Sequence, residues 1–323
     1  MNNVVLKSPL RNEISLFYDF VKLSVVDHES YKTTLSSLDA FLYDKNVTEK
    51  GFDSDLVMQW LDTFTHIKLQ TKKSKLGHLR KFAEYLSTLG IETSLPELPK
   101  EVRNFEPYVF SLEEMAQIFE VADDLAAIRP NSIICAEFPV LLRILYGCGM
   151  RLGEVISLTW NDIDFDKGII TVKIAKNQKQ RLIPMSAELT RIVKLYYSAP
   201  AFNATENGYV FKKSNGQPRT NGAYWTVFDS ILCELGIKNS QTVKTGDRGP
   251  CIHSLRHTFV MHAFMKLEQE NCRFQEAVPF LSTYIGHERL TETDKYLKAR
   301  HELYTDSHTA VSDYIADVFP EVL

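Results

Sequence analysis

The sequence predicts a mainly α-helical protein with one small antiparallel β-sheet, divided into a helical domain over residues 1–104 and a mixed domain over 105–323. Three observations carry that reading. Apolar residues recur at helical spacing in the first third, in Ile14, Phe17, Phe20 and Val21 and again in Leu76, Leu79, Phe82, Ala83 and Leu86. The stretch Ser94 to Tyr108 then carries Pro96, Pro99 and Pro107. Proline removes an amide hydrogen and clashes with the preceding turn, so helix gives way to linker there. Beyond it, Gly168 to Ile174 and Gln180 to Pro184 are short β-branched segments on either side of a polar turn, Ala175 to Lys179, the pattern of a β-hairpin.

A chain of 323 residues exceeds what one hydrophobic core usually serves, which supports two domains. With 44% hydrophobic and 24% charged residues, it has the composition of a folded globular protein and not of a disordered one. The longest apolar stretch, Phe138 to Tyr146, is interrupted by Arg143 and falls short of the roughly 20 residues that span a bilayer. Met1 to Arg11 lacks an apolar run ahead of a small-residue cleavage site, so a cytoplasmic protein without membrane segments is expected. Five cysteines, Cys135, Cys148, Cys233, Cys251 and Cys272, are odd in number and never form C-x-x-C. They fit neither a disulfide framework nor a cysteine zinc site and are expected as buried, reduced apolar side chains.

The second domain opens with a helix. Ser111 followed by Glu114 is a capping box, and Met115, Ile118 and Phe119 give that helix an apolar face. After the hairpin, the pattern from Ala187 onward is mostly helical, with loops near 203–208, 214–221 and 239–250. No internal repeat or low-complexity tract occurs.

The net charge of −4 argues mildly against a nucleic-acid partner, but it says nothing about where charge sits. From His66 to Lys81 the chain holds Lys68, Lys72, Lys73, Lys75, Arg80 and Lys81 and no acid. Such a run attracts phosphates, although a solvated helix face has the same composition.

Three further segments could carry chemistry. In Gly149-Met-Arg151-Leu-Gly153-Glu154, Arg151 stands between two glycines at a helix start, where backbone amides also attract anions. In His253-Ser-Leu-Arg256-His257, His253 and Arg256 are three apart and share a helix face. His253 and His257 also have the spacing of a zinc pair, but Ser254 stands where metalloprotease helices carry glutamate and no third ligand is evident. In Tyr284-Ile-Gly286-His287 the glycine marks a helix end, and Tyr296 follows nine residues after the histidine. Each has an ordinary reading: a surface arginine, a helix face, one of 14 tyrosines in a core.

Together they resemble a known pattern. The order Arg151, a lysine in a hairpin turn, H-x-x-R, G-H and then a tyrosine resembles the tyrosine recombinase family, also called the phage integrase family, over about 105–300. The resemblance implies a helical core-binding domain followed by a mixed α/β catalytic domain. It places the catalytic residues on Arg151, Lys176, His253, Arg256, His287 and Tyr296, with Tyr296 as nucleophile. Lys173 and Lys179 flank Lys176, and a one-residue slip of the hairpin would exchange them. Tyr304, in His301-Glu-Leu-Tyr, is the rival nucleophile. The interval from Arg256 to His287 is longer than in Xer-type housekeeping recombinases, and Val278-Pro-Phe-Leu-Ser-Thr-Tyr-Ile-Gly-His looks more like recombinases of transposons and integrative elements.

What the resemblance implies chemically is an in-line attack on a phosphodiester. Charge grows on the non-bridging oxygens, and two arginines can bind those oxygens in planar, bidentate fashion. Neutral tyrosine must lose its proton during attack, with His253 as acceptor; Lys176 protonates the departing 5′ oxygen, and the 3′-phosphotyrosine conserves the bond energy. No cofactor and no metal are then required, and no G-x-x-x-x-G-K-[ST] occurs. The partners implied are double-stranded DNA carrying specific recombination sites and a homotetramer on two duplexes. The tail Val311 to Leu323 has a short apolar stripe, Val311, Tyr314, Ile315 and Val318, which must bury itself on its own domain or dock on a neighbour. A type IB topoisomerase and a non-catalytic DNA-binding regulator are the alternatives.

Overall fold

The computed structural model describes residues 5–24, 28–98, 107–129, 131–173, 180–202, 204–205, 207–238, 249–270 and 274–286. The chain divides into two compact units, Met1–Asn104 and Phe105–Leu323.

The first unit is helical: α1 (Arg11–Ser24), α2 (His28–Asp44), α3 (Ser54–Asp62) and α4 (Leu69–Thr88). Ile14, Phe17 and Val21 of α1 pack with Leu35, Leu38 and Leu42 of α2, Trp60 of α3 and Leu76, Leu79, Phe82 and Leu86 of α4. The Asp39 carboxylate accepts the backbone N–H groups of Lys7 and Ser8 at 2.8 and 3.0 Å, tying the start of the chain to α2. Asp53 caps α3 by accepting the Leu56 amide at 2.8 Å. One expectation fails. Phe20 does not join the buried stripe but is 64% exposed, because the face of α1 that meets its neighbours runs through Ile14, Phe17 and Val21 and leaves Leu16, Phe20 and Leu23 on the flank.

The second unit is built around α6 (Ile133–Cys148), whose side chains are buried on nearly every side. Before it runs α5 (Leu112–Ile128), opened by the expected capping box: Ser111 Oγ accepts the Glu114 amide at 3.1 Å and Glu114 Oε2 accepts the Ser111 amide at 2.7 Å. The apolar run of α6 ends at Gly149, whose φ of +58° turns the chain; a Cβ there would overlap the Phe259 ring. A single-turn helix α7 (Leu152–Ile156) leads to a three-stranded antiparallel sheet in the order β1-β2-β3, with β1 at Ile163–Asp164, β2 at Ile169–Val172 and β3 at Arg181–Pro184. The predicted hairpin is β2 and β3, with Ile170 opposite Ile183 and Val172 opposite Arg181. Its turn, 174–179, lies outside the described residues. Strand β1, two residues long, had no visible signal in the sequence.

Helices α8 (Ala187–Ser198), α9 (Asn221–Glu234), α10 (Ser254–Gln269) and α11 (Phe274–Ile285) follow among the described residues. Among the described residues no helix is long and apolar enough to cross a membrane. The cysteine expectation needs correction. Cys135 and Cys148 are buried and free, but Cys233 is exposed and Cys251 half-buried. Cys233 stands in the last turn of α9, where Tyr224, Phe228, Ile231 and Leu232 already occupy the buried face. Cys272 lies outside the described residues.

Candidate functional site

The left-handed turn at Gly149 delivers Arg151 to the N-cap of α7, in extended backbone. Glu154, three residues on, reaches back: its Oε2 accepts the Arg151 amide at 2.9 Å and its Oε1 accepts Arg151 Nη1 at 3.0 Å. The other guanidinium nitrogen, Arg151 Nη2, donates to the Gly286 carbonyl at 3.4 Å. The Arg151 side chain remains 37% exposed, so an anion can reach it from solvent.

Arg256 approaches the same place from α10. It is 2% exposed, and its Nη1 and Nη2 donate to the carbonyls of Gly149 at 2.8 Å and Ile285 at 2.5 Å. Charge this deeply buried is tolerable only when its donors are occupied, and two carbonyls at helix C-termini supply suitable acceptors. Two guanidiniums therefore meet the carbonyls of consecutive residues, Ile285 and Gly286, at the end of α11. Gly286 has φ +69°, the helix-ending conformation its sequence suggested. His287 is the next residue in the chain and lies, with Lys176 and Tyr296, outside the described residues.

His253 is the N-cap residue of α10, exposed, one turn from buried Arg256. Its ring stands edge to face with His257, centroids 4.9 Å apart. Among the described residues no group of three His, Cys, Asp or Glu side chains is placed to hold a metal ion. Lys173, one alternative hairpin lysine, forms an ion pair with the buried Asp162. That contact directs it toward the turn at Thr159–Asp162. Lys179, the other alternative, lies outside the described residues, as do Tyr304 and the Val311–Leu323 tail.

Two residues went unrecognised in the sequence. The Glu154 side chain is 8% exposed, and Arg181, the first residue of β3, grips it with both terminal nitrogens: Nη1 to Oε1 at 3.0 Å and Nη2 to Oε2 at 2.7 Å. Burial pushes the Glu154 carboxyl up, but Arg181 and then Arg151 outweigh it, and the carboxyl is lowered to about 2. A capping-box position for Glu154 was legible; an arginine inside a strand with apolar neighbours was the available hint of a buried partner for Arg181.

The basic run of the first unit does not present one face. Lys68 is the N-cap residue of α4. Lys72 pairs with Asp62 at 3.3 Å, and Lys75 lies over the Phe64 ring at 4.5 Å, its pKa lowered by burial. Lys73 is half-buried, whereas Arg80 and Lys81 are exposed.

The sequence matches the phage integrase family over residues 109–302. This chain belongs to that family. The match takes in the whole path from Phe110 through Arg151, the hairpin, α10 and the Gly286 corner to Tyr296, and it makes the chain a tyrosine recombinase by descent. The Sinorhizobium fredii protein y4rB, described as an integrase/recombinase, is 25% identical over 266 residues, covering 79% of this chain and 82% of the relative. Tyrosine recombinase XerC of Staphylococcus carnosus is 26% identical over 293 residues, covering 87% and 90%. In structure, the Tn1549 transposon integrase in complex with transposon right end DNA superimposes with TM-score 0.57 at 17% identity, covering 90% of this chain and 98% of the other. A lambda integrase tetramer bound to a Holliday junction gives 0.60 at 15%, covering 88% and 78%. At such identities the structural likeness speaks for the fold.

Proposed function

We propose that this chain cleaves and rejoins DNA strands at specific sites through a 3′-phosphotyrosine intermediate, and that it moves a mobile genetic element. The observation that carries the proposal is the convergence of Arg151 and Arg256, from two separate helix starts, on the Ile285–Gly286 carbonyls just ahead of His287. An incoming phosphate would exchange weak carbonyl acceptors for charged oxygens, and preorganised guanidiniums are worth most where charge develops.

In the step proposed, the Tyr296 oxygen attacks the phosphorus, the bond to the 5′ oxygen breaks and an oxygen–phosphorus bond to tyrosine forms. The tyrosyl proton passes to His253; Lys176 supplies a proton to the departing 5′ oxygen; His287 donates to a non-bridging oxygen. Rejoining reverses these transfers with a 5′ hydroxyl from another strand. Lys68, Lys72, Lys73, Lys75, Arg80 and Lys81 would add sequence-independent phosphate contacts, with exposed Arg80 and Lys81 the readiest. The reading further has the protein act in the cytoplasm as a homotetramer on two duplexes, with the Val311–Leu323 tail joining neighbours. The named partners of the Tn1549 and lambda enzymes support DNA and a tetramer, and the transposon enzyme supports the mobile element.

The test is a nicked suicide DNA site in which the 5′ product is lost. Tyr296→Phe is expected to abolish the covalent adduct while DNA binding stays within about threefold, since only a hydroxyl is removed. An adduct that survives Tyr296→Phe but not Tyr304→Phe would move the nucleophile. An adduct with relaxation but no exchange between two sites would indicate a topoisomerase, and no adduct at all a regulator.

A further inference from the structure

Glu154 is shared. Its Oε1 accepts Nη1 of both Arg151 and Arg181, each at 3.0 Å, while its Oε2 accepts the Arg151 amide at 2.9 Å and Arg181 Nη2 at 2.7 Å. With Glu154 paired to Arg151 alone, the two charges would cancel, and the guanidinium would offer an approaching phosphate little net field. The second arginine changes the sign of the balance: two positive charges against one negative leave the group net positive at the place where Arg151 opens to solvent.

Arg181 also occupies a junction. It begins β3, the second limb of the hairpin, and its side chain is only 14% exposed. Its guanidinium packs beneath Gly286, where an added Cβ would come 3.2 Å from Arg181 Nη1. One side chain of β3 thus reaches both α7, at Glu154, and the Gly286 corner.

We infer that Arg181 is a positioning residue of the strand-transfer site: it offsets the Glu154 charge so that Arg151 stays available to the phosphate, and it holds the hairpin and the Gly286 corner to α7. This rests on the recombinase reading given above. The competing account makes Arg181 a buried staple whose loss costs stability alone.

Single-turnover adduct formation on a suicide site separates the two, measured on the full chain alongside DNA affinity and thermal melting. Arg181→Met is expected to slow adduct formation about 100-fold, the scale for one lost electrostatic stabiliser, with DNA affinity nearly unchanged. Arg181→Lys, which keeps the charge but cannot span both carboxylate oxygens, should lie between. The decisive variant is Glu154→Gln with Arg181→Met. With no carboxylate left to neutralise Arg151, it should cleave at least tenfold faster than Arg181→Met. If the single variant does not fold, the double variant still decides, because it strands no buried charge and should cleave within about tenfold of Glu154→Gln alone. A wild-type rate in Arg181→Met, or a double variant as slow as the single one, overturns the inference. A wild-type protein that forms no adduct removes the recombinase reading, and the inference with it.

Discussion

Two glutamates of the second unit, their side chains largely withdrawn from solvent, sit beside arginines and titrate in opposite directions. Glu154, at the start of α7, receives two guanidiniums and a backbone amide and is lowered to about 2. Glu137, in the second turn of α6 and 1% exposed, is pushed up to about 7 by burial, although it forms an ion pair with Arg219 and accepts the Tyr224 hydroxyl at 2.5 Å. One arginine and two tyrosines do not repay the loss of water deep in the core; two arginines, an amide and a helix start do. At the start of α7 the carboxylate is kept ionised by surplus donors. In the core the same group is free to hold a proton.

The largest effect expected from this contrast is on stability at Glu137. Arg219→Met strands the carboxylate, at a cost of about 3 kcal/mol, the lower end for a broken buried pair because Glu137 can take up a proton. Urea denaturation would show it, and the folded fraction should form the DNA adduct at the wild-type rate. Slower cleavage by the folded fraction would mean that the core pair and the site are coupled.

The next effect compares amides. Glu154→Gln exchanges charge-assisted bonds for neutral ones beside two guanidiniums, costing about 2 kcal/mol, and it should alter cleavage as well. Glu137→Gln removes a carboxyl that burial pushes toward its neutral form, and it should cost less than about 1 kcal/mol. Equal losses in denaturant midpoint would erase the distinction drawn from their surroundings.

The same contrast shows what was readable from the sequence. Local rules found the Ser111–Glu114 cap, the β2–β3 hairpin and the helix end at Gly286, because each needs only residues within one turn or one strand pair. The order of Arg151, His253, Arg256 and Gly286 was legible as a family pattern. What escaped was non-local or sided. The Glu154–Arg181 pair joins residues 27 apart, and Arg256 reaches carbonyls 107 and 29 residues away, distances that carry no period. Phe20 has helical spacing with Phe17, yet spacing cannot tell the edge of a stripe from its centre. The acid-free run from His66 to Lys81 looked uniform, but Asp62 and Phe64, just upstream, draw in Lys72 and Lys75.

The smallest effect lies in the pH dependence of stability, where the two carboxyls should part company. A carboxyl lowered in the fold contributes stability above its ordinary 4.5 and loses it as pH falls toward the folded value; for Glu154 that window runs from 4.5 down to about 2. A carboxyl raised in the fold works in reverse. Glu137 contributes fully below 4.5 and loses that contribution as pH rises through about 7. Between pH 6.5 and 8, therefore, Glu154 contributes a constant and Glu137 a declining amount, on the order of 1 kcal/mol in all. His262, lowered to about 4 by burial from its usual 6.5, contributes above 6.5 and begins to lose that at the lower edge of the range, so single curves mix the two. Differences between proteins do not, since His262 is common to all. The unfolding free energy of the wild type minus that of Glu137→Gln should fall by about 1 kcal/mol from pH 6.5 to 8, while the wild type minus Glu154→Gln stays flat. A flat Glu137 difference would mean that Arg219, with Tyr224 and Tyr196 around it, holds that carboxylate ionised after all, and that the core and the site treat their glutamates alike.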